Sequence, residues 1–367
     1  MSKTETYRTA GEAERGLGEL YRRYGYRHYK MSKFEEYDFY ARNKNFLVSS
    51  NIITFTNPDG RLMALKPDVT LSIVKNARWK PGDAEKVYYT EKVYRAENGA
   101  HEYREISQTG LECVGDLGAY DAAEVVLLAL KSLAGISGDY VLNLSHLGLV
   151  SALTAPLGLQ EAAQTALLAA IGEKNVPALR ALCEKNGVSA QNTERLTALT
   201  SLYGTFPETK EALLRLNCNE GTDRAVKELT ALYEMLDSEH LAEKIRLDFS
   251  LMNDMRYYNG LIFRGYINGI PQGILSGGSY DRLLTEMGKS ANAIGFAIYL
   301  DLLEHLPRSE KREKTDILLS YDTQVPAATV LREAERYRRE GLSVRVQKTD
   351  DGTTPAQKRV HLGERTD

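Results

Sequence analysis

Two pairs of strand-like segments, each joined by a short polar turn, constrain most strongly what this chain can fold into. In the first pair, residues 51–55 and 61–65 flank Asn57-Pro58-Asp59-Gly60, whose residue types favour a tight turn. In the second pair, residues 85–97 and 103–115 carry aromatic and β-branched side chains on either side of another polar turn. Connections this short join antiparallel neighbours. The sequence therefore predicts an antiparallel sheet.

Helices are predicted beside this sheet. Apolar residues recur at helical spacing over residues 10–24 and again over 120–133. Residues 153–238 are rich in Ala, Leu, Glu and Lys and lack alternating β-branched residues, which predicts an all-helical insertion. Strand patterns occur before this segment, at 140–148, and return after residue 239.

The sequence pattern changes towards the end of the chain. A charged run at 308–314 is typical of a linker, and residues 316–347 have the pattern of one β-α-β unit. The polar residues 349–367 are expected to be frayed. We therefore expect the following division of the chain: a core of residues 1–152 and 239–306, the insertion 153–238, a linker 307–314 and a partial C-terminal α/β domain 315–367.

Composition excludes several classes of protein. The chain has 367 residues, 43% of them hydrophobic, and its net charge of −3 offers no basic field for nucleic acid or anionic membranes. No segment approaches the roughly 18 apolar residues of a membrane span. Cys113, Cys183 and Cys218 are too far apart for a zinc motif and suggest a reducing, cytoplasmic location. We expect no metal site and no cofactor.

A row of polar residues marks the second strand pair. Arg95 and Glu97 end one strand, and Arg104, Gln108 and Glu112 follow on the next. Because side chains alternate between the two faces of a strand, the last three share one face. Two interpretations are open from this pattern: a solvent-exposed sheet face, or a binding site.

Other polar and glycine-rich segments could complete such a site. Leu65–Thr70 places an acid and a hydroxyl at a strand end, Tyr257-Tyr258 supplies aromatic rings, and 277–281 combines a glycine pair with Tyr280. The tetrapeptide at 30–33 spells KMSK, a motif of one synthetase class, but lacks that class's surrounding sequence. We attribute it to chance.

Taken in order, these segments resemble the class II aminoacyl-tRNA synthetase core, and in particular the histidyl-tRNA synthetase family. LKPDVT is similar to L-R-P-E-x-T, and VYRAENGAHEYREISQTGLE to motif 2. NDMRYYNGLIF, GGSYDRLL and AIGFAIYLDLL are similar to the family's R-G-L-D-Y-Y-T segment, its G-G-R-Y-D-x-L segment and motif 3. The resemblance runs from about residue 10 to 306. It implies an α+β fold, an antiparallel sheet flanked by helices, with a truncated C-terminal α/β unit.

The resemblance also implies which residues hold a ligand. Carboxylates suit an α-ammonium group, an amide both donates and accepts, and tyrosines can pack on an imidazole. The residues at the family's histidine-binding positions are Asp68, Thr70, Arg95, Gln108, Glu112, Tyr257, Tyr258 and Tyr280. Arg104 and Glu97 match residues on the phosphate side.

Two departures argue against catalysis. Asn253 stands where the synthetases have a catalytic arginine, and Leu302 stands where motif 3 has its arginine. Neither can stabilise negative charge in the transition state. The retained amino-acid pocket, the lost arginines and the short C-terminal domain resemble the regulatory subunit of ATP phosphoribosyltransferase, a synthetase paralogue of histidine biosynthesis.

That resemblance implies a non-catalytic protein. Its expected partners are a short-form ATP phosphoribosyltransferase catalytic subunit, which it activates, and L-histidine as feedback effector. A homodimer within a hetero-oligomer is implied as well, with no membrane and no tRNA. Two alternatives stay open: a divergent histidyl-tRNA synthetase or amino-acid adenylating ligase, and a synthetase-like scaffold or sensor that binds RNA or a kinase-type module.

Overall fold

The computed structural model describes residues 7, 9–47, 52–96, 102–252, 257–306, 315–350 and 352–363. Glu97, Asn253 and the predicted linker 307–314 lie outside the described residues. The chain divides into two units, residues 1–306 and 307–367, and each is described by itself.

The first unit contains helices and strands in mixed order. Its α-helices are α1 (Ala10–Arg23), α2 (Tyr37–Arg42), α3 (Thr70–Asn76), α4 (Ala119–Ile136), α5 (Leu147–Thr154), α6 (Glu161–Gly172), α7 (Val176–Lys185), α8 (Ala190–Ser201), α9 (Phe206–Arg215), α10 (Glu220–Asp237) and α11 (Asp281–Glu286). Its strands are β1 (Arg27–His28), β2 (Phe34–Glu36), β3 (Thr54–Thr56), β4 (Leu62–Leu65), β5 (Ala84–Ala96), β6 (Tyr103–Gly115), β7 (Tyr140–His146), β8 (Tyr203–Gly204), β9 (Ile245–Asp248), β10 (Leu261–Ile267), β11 (Leu275–Ser279) and β12 (Asn292–Tyr299). Short 3₁₀ helices cover Lys44–Phe46, Ala155–Leu157, Ala242–Lys244 and Leu300–His305.

A mainly antiparallel sheet organises this unit, as the sequence predicts. Among the described residues, nine strands form it in the order β1-β5-β6-β12-β11-β10-β7-β9-β8. Strands β5 and β6 pair along their whole length, and β6 then pairs with β12. Of the strand pairs described in this sheet, β1 with β5 and β7 with β9 are parallel. A smaller sheet of order β2-β4-β3 is formed by the residues between β1 and β5.

Local chemistry explains where several elements begin and turn. The Thr9 hydroxyl accepts a hydrogen bond from the Glu12 backbone N–H at 3.2 Å and so caps the start of α1. Between β3 and β4, the Asn57 side chain accepts hydrogen bonds from the N–H groups of Asp59 and Arg61. Gly60 adopts φ 78° in the same turn, a conformation that favours glycine. The predicted first hairpin is thus confirmed.

One face of the main sheet is covered by helices α1 and α4. Leu17 and Tyr21 of α1 and Leu128 of α4 are fully buried in the same apolar cluster as Phe296 of β12. The Tyr21 hydroxyl lies 3.0 Å from the Ser132 hydroxyl, so the polar end of this buried ring is satisfied. None of the helices within the described ranges combines the length and apolar character needed to cross a bilayer.

The segment 153–238 is helical apart from one short strand. Helix α10 contributes Leu229 and Leu232 to the same apolar cluster as the sheet. The two-residue strand β8 departs from the predicted all-helical pattern because it pairs with β9, whose other side is bonded to β7. Strand β8 thereby pairs with backbone groups of β9 that would otherwise be unpaired at the sheet edge.

The second unit is a parallel three-stranded sheet with one helix. Its elements are β13 (Thr315–Tyr321), α12 (Ala327–Arg339), β14 (Val344–Gln347) and β15 (Ala356–Leu362), and the strand order is β14-β13-β15. The expectation that residues 349–367 are frayed is wrong over Ala356–Leu362. This segment pairs with β13, and its alternating Val360 and Leu362 pack against the unit's apolar cluster.

Candidate functional site

The predicted ligand residues Gln108 and Glu112 lie on a buried part of the main sheet. Their exposed fractions are 3% and 2%, although both are polar. In the strand pairing, Gln108 is opposite Tyr299 and Glu112 is opposite Gly295, both in β12. The interpretation of this row as a solvent-exposed face is therefore wrong at these two positions. A buried carboxyl for which the described residues provide no ion pair needs other partners, and its neighbours supply them.

Glu112 is held by two hydroxyl groups from distant parts of the chain. The Thr70 hydroxyl donates a hydrogen bond to Glu112 Oε1 at 2.6 Å, and the Tyr280 hydroxyl donates to Oε2 at 2.5 Å. Thr70 is the first residue of α3, and Tyr280 follows β11 directly. The pKa of Glu112 is raised to about 8: burial raises it most, the two hydroxyl donors oppose that shift, and the charge of Asp68 adds to it.

Asp68 is a second buried carboxyl beside Glu112. Its Oδ1 accepts a hydrogen bond from the Leu71 N–H at 2.9 Å, which satisfies one free donor in the first turn of α3. Burial raises the pKa of Asp68, and the Leu71 hydrogen bond and the positive charge of Arg95 oppose that shift. Arg95 itself donates from Nε to the Pro67 carbonyl at 3.0 Å. The structure therefore brings together the predicted residues Asp68, Thr70, Arg95 and Glu112.

Three tyrosine rings border this acidic cluster. The ring centroids of Tyr257 and Tyr258 are 4.7 Å apart in an edge-to-face arrangement, and those of Tyr257 and Tyr280 are 5.7 Å apart. Burial raises the pKa of Tyr257 and of Tyr280 well above the ordinary value, so both phenols stay neutral at physiological pH. Flat apolar rings beside carboxyl and hydroxyl groups suit a ligand with an aromatic ring and an ammonium group.

Gly295 makes room for Glu112 in the neighbouring strand. A Cβ at this position would lie 1.7 Å from Glu112 Oε2 and 2.5 Å from the Leu111 carbonyl oxygen. The backbone of β12 can therefore approach the carboxyl only because residue 295 has no side chain. The sequence signal was present, since a glycine within a strand often marks a close approach.

The two described positions that were expected to contact ATP, Leu302 and Arg104, lie outside the buried acidic cluster. Leu302 lies in the 3₁₀ helix Leu300–His305 and packs, half-buried, against the main apolar cluster. Arg104 pairs with Arg95 across β5 and β6 and is exposed rather than part of the buried cluster. An aliphatic side chain with apolar neighbours at position 302 offers no charge to a phosphate group.

Sequence reasoning missed two features of this region. Tyr89 of β5 is 1% exposed. Burial is the main reason that its pKa lies well above the usual value, and the charges of Glu112 and Asp68 act in the same direction. Lys66 is also 1% exposed and forms an ion pair with Glu91. A lysine immediately before the Pro-Asp pair was the available signal, but no local pattern predicts that it is buried.

A separate charged cleft of about 560 Å³ lies where β5 begins. Two of the cations that line it form ion pairs with other lining residues: Arg27 with Glu85 at 2.6 Å, and Lys86 with Asp121 at 3.5 Å. None of the predicted ligand residues lines this cleft. Within the described part of the chain, no group of His, Cys, Asp and Glu side chains could hold a metal ion.

Comparison with known proteins shows the family of this chain. The sequence model of a family described as Histidyl-tRNA synthetase matches residues 3–303. An ATP phosphoribosyltransferase regulatory subunit from Bacillus licheniformis is 30% identical over 349 residues, which cover 93% of this chain and 88% of the relative. The chain belongs to the family of ATP phosphoribosyltransferase regulatory subunits.

Solved structures agree with membership of this regulatory-subunit family. An ATP phosphoribosyltransferase regulatory subunit/histidyl-tRNA synthetase from Bacillus halodurans has a TM-score of 0.80 at 25% identity, covering 98% of this chain and 95% of that one. A chain of the ATP phosphoribosyl transferase (HisG:HisZ) complex from Thermotoga maritima has a TM-score of 0.63 at 18% identity, covering 79% and 97%. The second likeness shows the fold alone.

Proposed function

We propose that this chain is the non-catalytic regulatory subunit that activates a short ATP phosphoribosyltransferase catalytic subunit and carries the histidine site for feedback inhibition. In this proposal the transferase chemistry resides in the partner subunit. The free thiols of Cys113, Cys183 and Cys218 support a reducing, cytoplasmic location. A homodimer within the hetero-oligomer is part of the same proposal.

One observation carries the ligand assignment: Glu112 and Asp68 are buried together beside tyrosine rings and hydroxyl donors. Such a cluster favours an ammonium group, because a cation restores the charge balance that burial makes costly. The rings of Tyr257 and Tyr258 supply surfaces on which an imidazole can pack. L-histidine combines both groups. Its differential affinity for two states of the complex would provide feedback, with a coupling of about 1–3 kcal/mol.

Calorimetric titration of the purified chain with L-histidine tests the site directly. We expect saturable binding that Glu112→Gln weakens strongly, since Gln cannot neutralise the ligand's ammonium group. The exposed Glu105→Gln serves as a control on the same strand, because that carboxylate pairs with Lys92 in solvent. Absence of saturable histidine binding, with and without the catalytic subunit, would remove the site from the proposal.

Reconstitution tests the role in the complex. A mixture of this chain with a short catalytic subunit should show ATP phosphoribosyltransferase activity that histidine inhibits and that neither protein shows alone. A divergent synthetase would instead catalyse histidine-dependent exchange of pyrophosphate into ATP. The apolar surroundings of Leu302 disfavour that alternative. A tRNA-binding scaffold would be indicated by a complex with tRNA that dissociates as salt is raised.

A further inference from the structure

A buried ion pair lies next to the proposed histidine site, and the ligand contacts described above do not include it. The Lys66 ammonium donates a hydrogen bond to Glu91 Oε2, and the two side chains are only 2% and 13% exposed. Charged side chains rarely become this buried without a partner, because removing each from water costs several kcal/mol. The contacts of this pair indicate why two charged groups are buried here.

Glu91 connects three segments of the chain. It belongs to β5, its Oε2 accepts from Lys66, and its Oε1 accepts from the Met31 backbone N–H at 3.3 Å. In the β5–β6 pairing, Glu91 is directly opposite Gln108. One carboxylate thus joins the sheet that carries the site, the segment that follows β1, and the segment that contains Asp68.

The residues that carry Asp68 and lead into Thr70 have no regular secondary structure of their own. Strand β4 ends at Leu65 and α3 begins at Thr70, so residues 66–69 span the interval as a loop. Two of its carbonyl groups hold it to β5: the Tyr94 backbone N–H donates to the Lys66 carbonyl, and the Arg95 side-chain Nε donates to the Pro67 carbonyl, both at 3.0 Å. The Lys66 side chain adds a third attachment, at Glu91.

Apolar side chains flank this attachment, since Tyr89 and Val93 lie two residues to either side of Glu91 in β5 and therefore share its face of the strand. Val69, Ile73, Tyr89 and Val93 form a buried cluster, and Met31 packs against it. In such surroundings a charged hydrogen bond is strong and directional, whereas the same pair in water would exchange with solvent. The pair is therefore suited to fixing the position of the loop rather than merely to joining two surfaces.

We propose that Lys66 and Glu91 are positioning residues of the ligand site, which hold the loop 66–69 so that Asp68 and Thr70 meet Glu112 in ligand-binding geometry. This inference rests on the proposed function, since the ligand in question is histidine. Neither residue contacts the ligand. They act through the loop, by an ion pair that ties it to the strand opposite Gln108.

A double variant separates positioning from folding. Replacing one member of a buried pair leaves an unpaired charge and destabilises the fold, whereas replacing both by uncharged residues of similar size is often neutral for stability. Lys66→Met with Glu91→Gln is therefore expected to unfold within a few degrees of the parent. We expect it to bind L-histidine about tenfold more weakly or worse, as for removal of a supporting residue.

The same hairpin offers a matched control. Lys92 and Glu105 form an ion pair whose side chains are 58% and 44% exposed, so Lys92→Met with Glu105→Gln removes the same charges at the surface. Calorimetry should show parental histidine affinity for this control. Lys66→Arg keeps the positive charge and should bind histidine with an affinity close to that of the parent, unlike the double variant. A purely structural role of the buried pair does not require this difference in affinity.

The outcomes separate this inference from the proposed function. If the parent chain does not bind histidine, the proposed function fails and the inference falls with it. If the parent binds and the folded double variant binds equally well, only the positioning role is overturned.

Should the double variant fail to fold, Glu91→Asp provides the test. This variant keeps the charge but shortens the side chain, and we expect weaker histidine binding at an unchanged melting temperature. Parental affinity in Glu91→Asp would overturn the inference.

Discussion

Histidine binding to this chain should release a proton, and Glu112 is the source. The structure buries this carboxyl to 2% exposure, and among the described residues the side chains that donate to it are the neutral hydroxyl groups of Thr70 and Tyr280. Two further groups face Glu112 from other elements, Asp68 before α3 and Tyr89 in β5, and neither carries a positive charge. Burial raises the pKa of Glu112 to about 8.

The magnitude follows from this pKa. At pH 7, a carboxyl with a pKa near 8 is protonated in about 0.9 of the empty sites, taking one unit as a tenfold ratio. An ammonium group at Glu112 favours the ionised carboxylate, so binding should expel about 0.9 of a proton per histidine. Apparent affinity should then weaken about tenfold for each pH unit below 8. The ligand's own imidazole titrates near 6.5, so pH 6.5–8 is the informative range.

Calorimetry in several buffers measures this release. At pH 7, the observed enthalpy plotted against the ionisation enthalpy of the buffer has a slope equal to the protons exchanged on binding. Glu112→Gln has no proton to lose, so residual binding by this variant should give a slope near zero. Saturable histidine binding by the parent chain with a slope of zero would refute the reasoning, because it would mean that the carboxyl is already ionised in the empty site.

The same carboxyl affects stability in a defined direction. Because the folded-state pKa of Glu112 is raised from 4.5 to about 8, its protonated form favours the folded state. Its contribution is fully present below pH 4.5 and is lost as pH rises towards 8. The raised pKa of Asp68 acts in the same direction. Urea unfolding of the parent and of Glu112→Gln should therefore diverge with increasing pH, with the parent losing more stability.

Three further substitutions test other parts of the structure. Gly295→Ala places a methyl group 1.7 Å from Glu112 Oε2 and should abolish histidine binding, whereas Gly138→Ala, with no atom within 4 Å, should not. Leu319→Ala, fully buried in the second unit, should lower that unit's free energy of unfolding by about 2–5 kcal/mol; hydrogen exchange measures this, with the 60% exposed Leu331→Ala as control. Tyr21→Phe should cost about 1 kcal/mol in urea unfolding, since it removes a buried hydrogen bond.

Much of the fold followed from local patterns in the sequence. The Asn57–Gly60 turn fixed the first hairpin because its side-chain and backbone requirements are satisfied within a few residues. Helix α1 and the long pair β5–β6 were likewise visible as periodic patterns. The tail was misjudged because β15 carries Lys, Arg and His along with its apolar residues, and its pairing with β13 cannot be read from its own composition.

The sequence by itself determined which residue types were available for a ligand site, and it predicted that two arginine positions had been replaced. Only the tertiary structure decided that Glu112 is buried, because its partners Thr70 and Tyr280 lie 42 and 168 residues away along the chain. The Lys66–Glu91 pair has the same origin. Burial and pKa depend on what packs around a group, and strands distant in sequence supply that packing here.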